Sequence, residues 1–355
     1  MMSKTKWLTV MGMIISLVVC MTTRDPAVAA PFYQGKTLTV VIGTSPGGTG
    51  DFRARAVSQY LQKHLPGKPS VVYKYIRNPI HAANHVANVA KRNGLTIIFV
   101  SPGLFSNAIL RTRAVRYQVE DFIPLGSPYP GGPYILVTRP DLHLDNVEKL
   151  RAYKGLRFAQ RSVGHSMYIL DRIMAFVLDL PDPKWILGYS SPEVPAALER
   201  KEADAQSTTL AGFVKARKYW LQEGFAVPVV MKNTKGRGAE VEPTFPQDRA
   251  TIDQFADTKL KRDILKFHNA MRPSGMLMLA PKGIPEPALK DLRTALQRTW
   301  DDPEFAKEYN RLTGETADPM VGKEIEANLL KIPKDPKVMA TYKQIIGGGP
   351  LPPSK

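Results

Sequence analysis

The feature that most constrains this chain is an alternation of short apolar runs with longer amphipathic ones near its start. Leu38-Thr39-Val40-Val41-Ile42 is apolar and β-branched, which predicts a buried strand ending at Gly43. Residues 44–50 contain only Thr, Ser, Pro and Gly, a loop composition. Asp51 to Leu65 reads as a helix with Phe52, Ala56, Tyr60 and Leu61 on one face, stopped by Pro66-Gly67. Val71 to Tyr73 is a second strand, Ala82 to Lys91 a second helix, and Leu95 to Val100 a third strand. Parallel neighbours need a crossover between them, so β-α-β-α-β at this spacing predicts a parallel sheet with helices on its faces.

The pattern then restarts. Tyr134 to Val137 reads as a strand that crosses to a new unit. Leu156 to Ala159 (strand), Ser166 to Leu180 (helix), Trp185 to Leu187 (strand) and Val194 to Arg200 (helix) follow, then Asp204-Ala205 and Val227 to Met231. Residues 232–248 are polar and rich in Gly and Pro, a surface excursion. Gly275 to Leu279 reads as a strand returning to the first unit. Pro285 to Trp300 and Pro303 to Leu312 are helices opened by proline. The tail from Gly347 to Lys355 reads as loose. One α/β unit inserted in another predicts two lobes joined by crossing hinge segments. Residues 30–134 plus 265–355 would form lobe 1 and residues 135–264 lobe 2, with a ligand in the cleft.

The first residues have a different character. Lys4 and Lys6 precede an apolar run from Trp7 to Met21, and Ala27-Val28-Ala29-Ala30 follows. This is the layout of a secretory signal peptide over residues 1–29, with an A-x-A cut after Ala29. Cys20 is the single cysteine and follows Val19, a poor residue before a lipidation site, so lipid anchoring at Cys20 is not expected. The mature chain would hold no thiol, hence no disulfide and no thiolate nucleophile. The formal charge is +17; residues 1–29 carry Lys4, Lys6 and Arg24 against Asp25, a net +2, which leaves +15. The lysines and arginines are dispersed rather than interleaved with aromatics, which favours attraction of anionic solutes over nucleic acid.

The chemistry concentrates in Gly43-Thr44-Ser45-Pro46-Gly47-Gly48-Thr49-Gly50-Asp51, between the first strand and first helix. Ligands of open parallel sheets bind at carboxyl ends of strands. The glycines admit close backbone approach, and a helix start attracts anions. The loop lacks the lysine of a Walker A motif, and Arg53 stands where a dinucleotide fingerprint needs its last glycine. A strand followed by x-x-Pro-Gly-Gly-x-x-Asp and an Arg-bearing helix resembles the TctC-like (Bug) extracytoplasmic receptors of tripartite tricarboxylate transport. Asn93 to Ile97 resembles that family's "DGxT" strand, and Tyr117 to Gly126 (YQVEDFIPLG) its "Y-x-x-x-DF-x-x-xG" stretch. Gly188 to Ser191 resembles its "GYxG" turn, Ala280 to Pro285 its "APxGxP" return, and Asp301 to Phe305 its "DPEF" helix start. Where the family usually carries "N-x-PGAG", this chain has Tyr73-Lys74-Tyr75-Ile76-Arg77-Asn78.

The resemblance implies a type II periplasmic-binding-protein fold that closes on a small carboxylate and is read by membrane permease components. Thr44, Ser45, Gly47, Gly48 and Asp51 would form the first wall. Arg161, Ser162, Gly164, His165 and Ser166 would form the second, with Ser101, Ser207 and Thr208 as secondary contacts. The implied protein is a periplasmic monomer, with no cofactor, no metal and no catalysis. A ligand-binding partner of a sensor system is the alternative, and an exported enzyme the remoter one. For catalysis Ser166 would need a base, but His165 is its sequence neighbour and the second glycine of G-x-S-x-G is missing. Asp171, Asp179 and Asp182 form no acid–base pair in the sequence. His81 and His85 have metal-ligand spacing without the Glu of H-E-x-x-H and read as surface or packing residues.

Overall fold

The structure is a computed structural model; it describes residues 30–231, 248–272 and 274–354. The signal-peptide and Cys20 expectations lie outside the described residues, as does the expected excursion apart from Asp248. The first part of the chain runs β1 (Thr37–Ile42), α1 (Thr49–His64), β2 (Ser70–Tyr75), α2 (Pro79–Asn88), β3 (Thr96–Val100), α3 (Gly103–Ile109) and β4 (Phe122–Ser127). The second runs β5 (Tyr134–Thr138), α4 (Val147–Ala152), β6 (Arg157–Ala159), α5 (Ser166–Val177), β7 (Lys184–Ile186), α6 (Glu193–Glu199), β8 (Ala205–Thr209), α7 (Leu210–Arg217) and β9 (Ala226–Met231). The third holds α8 (Lys259–Ala270), β10 (Leu277–Pro281), α9 (Glu286–Trp300), α10 (Pro303–Thr313), β11 (Met320–Val321), α11 (Gly322–Leu330) and α12 (Pro336–Ile346).

These strands form two separate sheets, ordered β11-β4-β10-β3-β1-β2 and β7-β6-β8-β5-β9. In the first sheet β1 lies parallel to β2 and β3, as its sequence pattern predicts, while β10 enters antiparallel between β3 and β4. Both faces of each sheet are covered. Leu38, Val40 and Ile42 of β1 enter one core and Val41 the other. Tyr134 and Leu136 of β5 likewise face one core while Ile135 and Val137 face the opposite one. This double burial is why these strands read as continuous apolar runs rather than alternating ones.

The chain passes from the first sheet to the second between Ser127 and Tyr134 and returns between Met271 and Leu277. A third passage was not expected. Helix α11 packs on β4, and after residues 331–335 helix α12 packs on α5 and α8, so Val338, Tyr342, Ile345 and Ile346 join the core of the second sheet. The expectation that residues 265–355 all belong with the first sheet therefore fails for α12, and also for residues 265–271, whose Leu265, Phe267 and Met271 join the core of the second sheet. The expected loose tail is also corrected. The Tyr168 hydroxyl donates to the Gly347 carbonyl at 2.7 Å, Arg172 donates to the carbonyls of Ile345 and Gly349, and the Ser354 hydroxyl donates to Asp179. Arg172 is buried in the middle of α5 with no carboxylate in ion-pair distance among the described residues, and these backbone acceptors satisfy its guanidinium. On α1 the buried face is Arg53, Ala54, Ala56, Val57 and Leu61, while Phe52 is exposed.

Candidate functional site

Between the sheets lies a cleft with about 680 Å³ of empty space, part of it open to solvent. The first wall starts where β1 ends. Thr44 lines the cavity and Gly47 and Gly48 line an adjoining hollow. Gly47 has φ +77°, a left-handed turn that suits glycine. Its amide donates to Asp51 Oδ2 at 2.9 Å. Asp51 Oδ1 accepts from the Tyr75 hydroxyl at 2.7 Å and from Arg55 Nε at 3.0 Å. Asp51 thus points into the loop, holds its shape, and contributes nothing to the cavity surface. Tyr75, in the stretch that departs from the family pattern, completes that support.

The second wall is the loop after β6. Arg161, His165 and Ser166 line the cavity, as does Thr208 at the end of β8; Ser207 and Thr208 line the adjoining hollow. Gly164 has φ +82°, and its carbonyl accepts from Asn107 Nδ2 at 3.0 Å. His165 caps α5, its Nδ1 accepting the Met167 amide at 3.2 Å. Burial, reinforced by the charge of Arg161, holds the His165 pKa well below the ordinary histidine value. The imidazole is therefore neutral. The Ser101 hydroxyl, after β3, also lines the cavity; it and the Ser162 hydroxyl are enclosed without a hydrogen-bond partner within the protein. Ser45, Asp51, Ser162 and Gly164 do not line the cavity or the hollow.

The walls touch. Thr44 Oγ1 lies 3.3 Å from Ser191 Oγ, and the Gly103 amide donates to Ser166 Oγ at 3.3 Å. Outside the cavity, Lys215 Nζ of α7 donates to the Arg311 carbonyl near the end of α10, where the helix dipole favours a cation.

Two cations define the electrostatics. Arg53 lines the cavity from below but is spent: it pairs with Glu315, which also accepts from the Tyr309 hydroxyl at 2.9 Å, and its guanidinium lies 4.3 Å from the Tyr129 ring centre. Burial opposes the Arg53 charge, but Glu315 outweighs it and holds the pKa above normal. Sequence reading missed Arg53 because its partner is 262 residues away. Arg161 is different. Among the described residues no carboxylate lies within ion-pair distance of it; Nη1 approaches the His165 ring at 3.1 Å, and Nε is enclosed and unpartnered. Burial lowers its pKa to about 10, with Asp171 only partly offsetting this. The cleft therefore presents a desolvated guanidinium beside hydroxyls, an arrangement suited to an anionic oxygen ligand.

Asp171 sits beneath this wall, fully buried, accepting from the Ser207 amide at 3.0 Å and from Gln160 Nε2 at 2.5 Å. Burial raises its pKa to about 7 against the pull of Ser207, Gln160 and Arg161. A raised carboxylate binds its proton more tightly in the folded state. Its stabilising contribution is complete below about pH 4 and is lost as the pH climbs from there through about 7. Across that window stability falls by up to about 1.4 kcal/mol for each pH step of one. Urea unfolding of Asp171→Asn should show less loss of stability between pH 5 and 8 than the natural chain; equal losses would remove Asp171 as the cause.

No family model matches the chain. Protein BugT of Bordetella pertussis is 26% identical over 183 residues, covering 48% of this chain and 53% of BugT. The chain thus matches about half the length of that curated relative. The periplasmic binding protein BugD superposes with a TM-score of 0.65 at 19% identity, covering 88% of this chain and 98% of BugD. The fold is that of the Bug/TctC-like solute-binding proteins. MatC from Rhodopseudomonas palustris, solved with bound malate, superposes with a TM-score of 0.64 at 18% identity over 88% of this chain and 99% of its own. In this Bug/TctC-like fold the cleft just described runs between the two lobes.

Proposed function

We propose that the protein is an exported periplasmic solute receptor that captures a small carboxylate between its lobes and hands it to membrane permease components. Arg161 carries the reading: it is a desolvated guanidinium facing the cleft without a protein carboxylate to neutralise it. Burying such a charge is costly, and an anionic ligand offsets the cost while the neighbouring hydroxyls of Ser101, Ser166 and Thr208 supply orientation. The malate carried by MatC supports a carboxylate over other anions. A receptor rather than an enzyme fits the surroundings of Ser166, whose hydroxyl accepts the Gly103 amide and, among the described residues, has no base bonded to it.

The reading is tested by a thermal-shift screen of residues 30–355 against mono-, di- and tricarboxylates, followed by calorimetry. At least one acid should raise the melting temperature. Arg161→Met should then weaken that acid by roughly 30-fold or more, because truncating one partner of a buried charged contact costs about 2–5 kcal/mol. No shift with any acid, or an unchanged affinity in Arg161→Met, overturns the assignment.

A further inference from the structure

The cleft does not end at the wall carrying Arg161. A smaller cavity, with about 300 Å³ of empty space, much of it open to solvent, lies toward the hinge and shares Tyr134, Ser166 and Met167 with the main one. Its far side is built by α8 and α12, the elements that sequence reading did not connect with the site. His268 and Arg272 line it. His268 is 3% exposed. Its Nδ1 lies 2.7 Å from the Tyr342 hydroxyl, and its Nε2 is enclosed with no partner. Arg272 lays its guanidinium 4.2 Å from the centre of the Tyr134 ring, and its Nη1 is likewise enclosed and unpartnered. Ile169, Leu170 and Met271 supply apolar walls, and among the described residues no carboxylate lines the cavity.

We propose that Arg272 and His268 form a second, hinge-side subsite that binds an anionic oxygen at the far end of the same ligand. Two enclosed nitrogens without protein acceptors belong to residues lining a cavity that shares three of its lining residues with the main one. With the Tyr342 hydroxyl donating to Nδ1, Nε2 carries the imidazole proton and donates alongside the Arg272 fork. Burial, with the charge of Arg272, keeps His268 neutral, so a single cation faces the incoming oxygen. Tyr134 bridges the two cavities because it is the first residue of β5, where the chain crosses between sheets. The selected ligand class is an acid with an apolar middle and a second anionic group, and this inference rests on the carboxylate reading above.

Calorimetry on residues 30–355 with acids matched in chain length, butyrate against succinate and hexanoate against adipate, separates the two ideas. In the natural chain a di-acid should bind about tenfold or more tighter than its matched mono-acid, the gain of a charge-assisted contact. Arg272→Met keeps a stem against Tyr134 and should erase most of that preference while leaving mono-acid affinity within about twofold. His268→Phe should reduce the preference in the same direction, and the comparison in the natural chain needs no variant to fold. Mono-acid binding with no di-acid preference, or a preference that survives both substitutions, overturns the subsite and leaves the carboxylate reading standing. Failure of every acid to bind overturns both.

Discussion

Replacing Glu315 by Ala should cost about 3–5 kcal/mol of stability, the penalty for stranding one member of a buried ion pair. Arg53 and Glu315 are 7% and 6% exposed, so solvent cannot take over the lost partner. The Tyr309 hydroxyl would lose its acceptor in the same step. In urea the midpoint should fall with little change in slope, and the melting temperature should drop on the order of 10 °C. The double replacement Arg53→Met with Glu315→Leu should recover most of the loss, because the uncompensated charge goes with it. A single-variant loss below about 1 kcal/mol would show that Arg53 finds water or another acceptor. The recovered double variant also tests the cleft directly: Arg53 lines the cavity but is already neutralised, so acid binding should survive its removal far better than removal of Arg161.

Gly48→Ala should spare the fold and damage closure. Gly48 has φ −93° and ψ 166°, a conformation any residue adopts, so the backbone does not resist alanine. The obstacle is across the cleft, where an added Cβ would stand 2.5 Å from the Ser191 Cβ. That clash exists only while the lobes meet. Overpacking of about 1–3 kcal/mol imposed on the closed form alone would lower ligand affinity roughly 5- to 150-fold. Unfolding of the unliganded protein should change by less than about 0.5 kcal/mol. Ser191→Gly in the same chain should restore affinity; an unaltered affinity in Gly48→Ala would mean that binding does not draw these two loops together.

Much of the fold was legible because local pattern and global role agree. Leu38 to Ile42 is apolar but for Thr39, and the structure buries β1 between two parallel neighbours. Proline-opened helices appear where expected; Asp302 caps α10, accepting the Glu304 amide at 3.0 Å. The errors have physical causes. Phe52 was placed on the apolar face of α1 by residue type, but Arg53 takes the buried face because Glu315 awaits it. Asp51 looked like a ligand contact because a helix start attracts anions in general; Tyr75 and Gly47 occupy it instead. The tail looked disordered by composition, since no local pattern announces that Arg172 and Tyr168 will bind its carbonyls. Of the residues named from the sequence, Thr44, Ser101, Arg161 and Thr208, all tied to strand ends, line the cavity. Tyr134, His268 and Arg272, which line the two cavities, were not named; they come from hinge and helix segments whose proximity depends on three separate passages of the chain.

The third passage has a mechanical consequence. Tyr33 is buried in the first sheet's core, whereas the segment from Pro336 to Ser354 is fastened to the second. The two extremities of the described chain therefore ride on different bodies. In the proposed receptor, closure on a ligand would move one extremity relative to the other, so that a group tethered at either one would travel with its own lobe and sense capture as displacement.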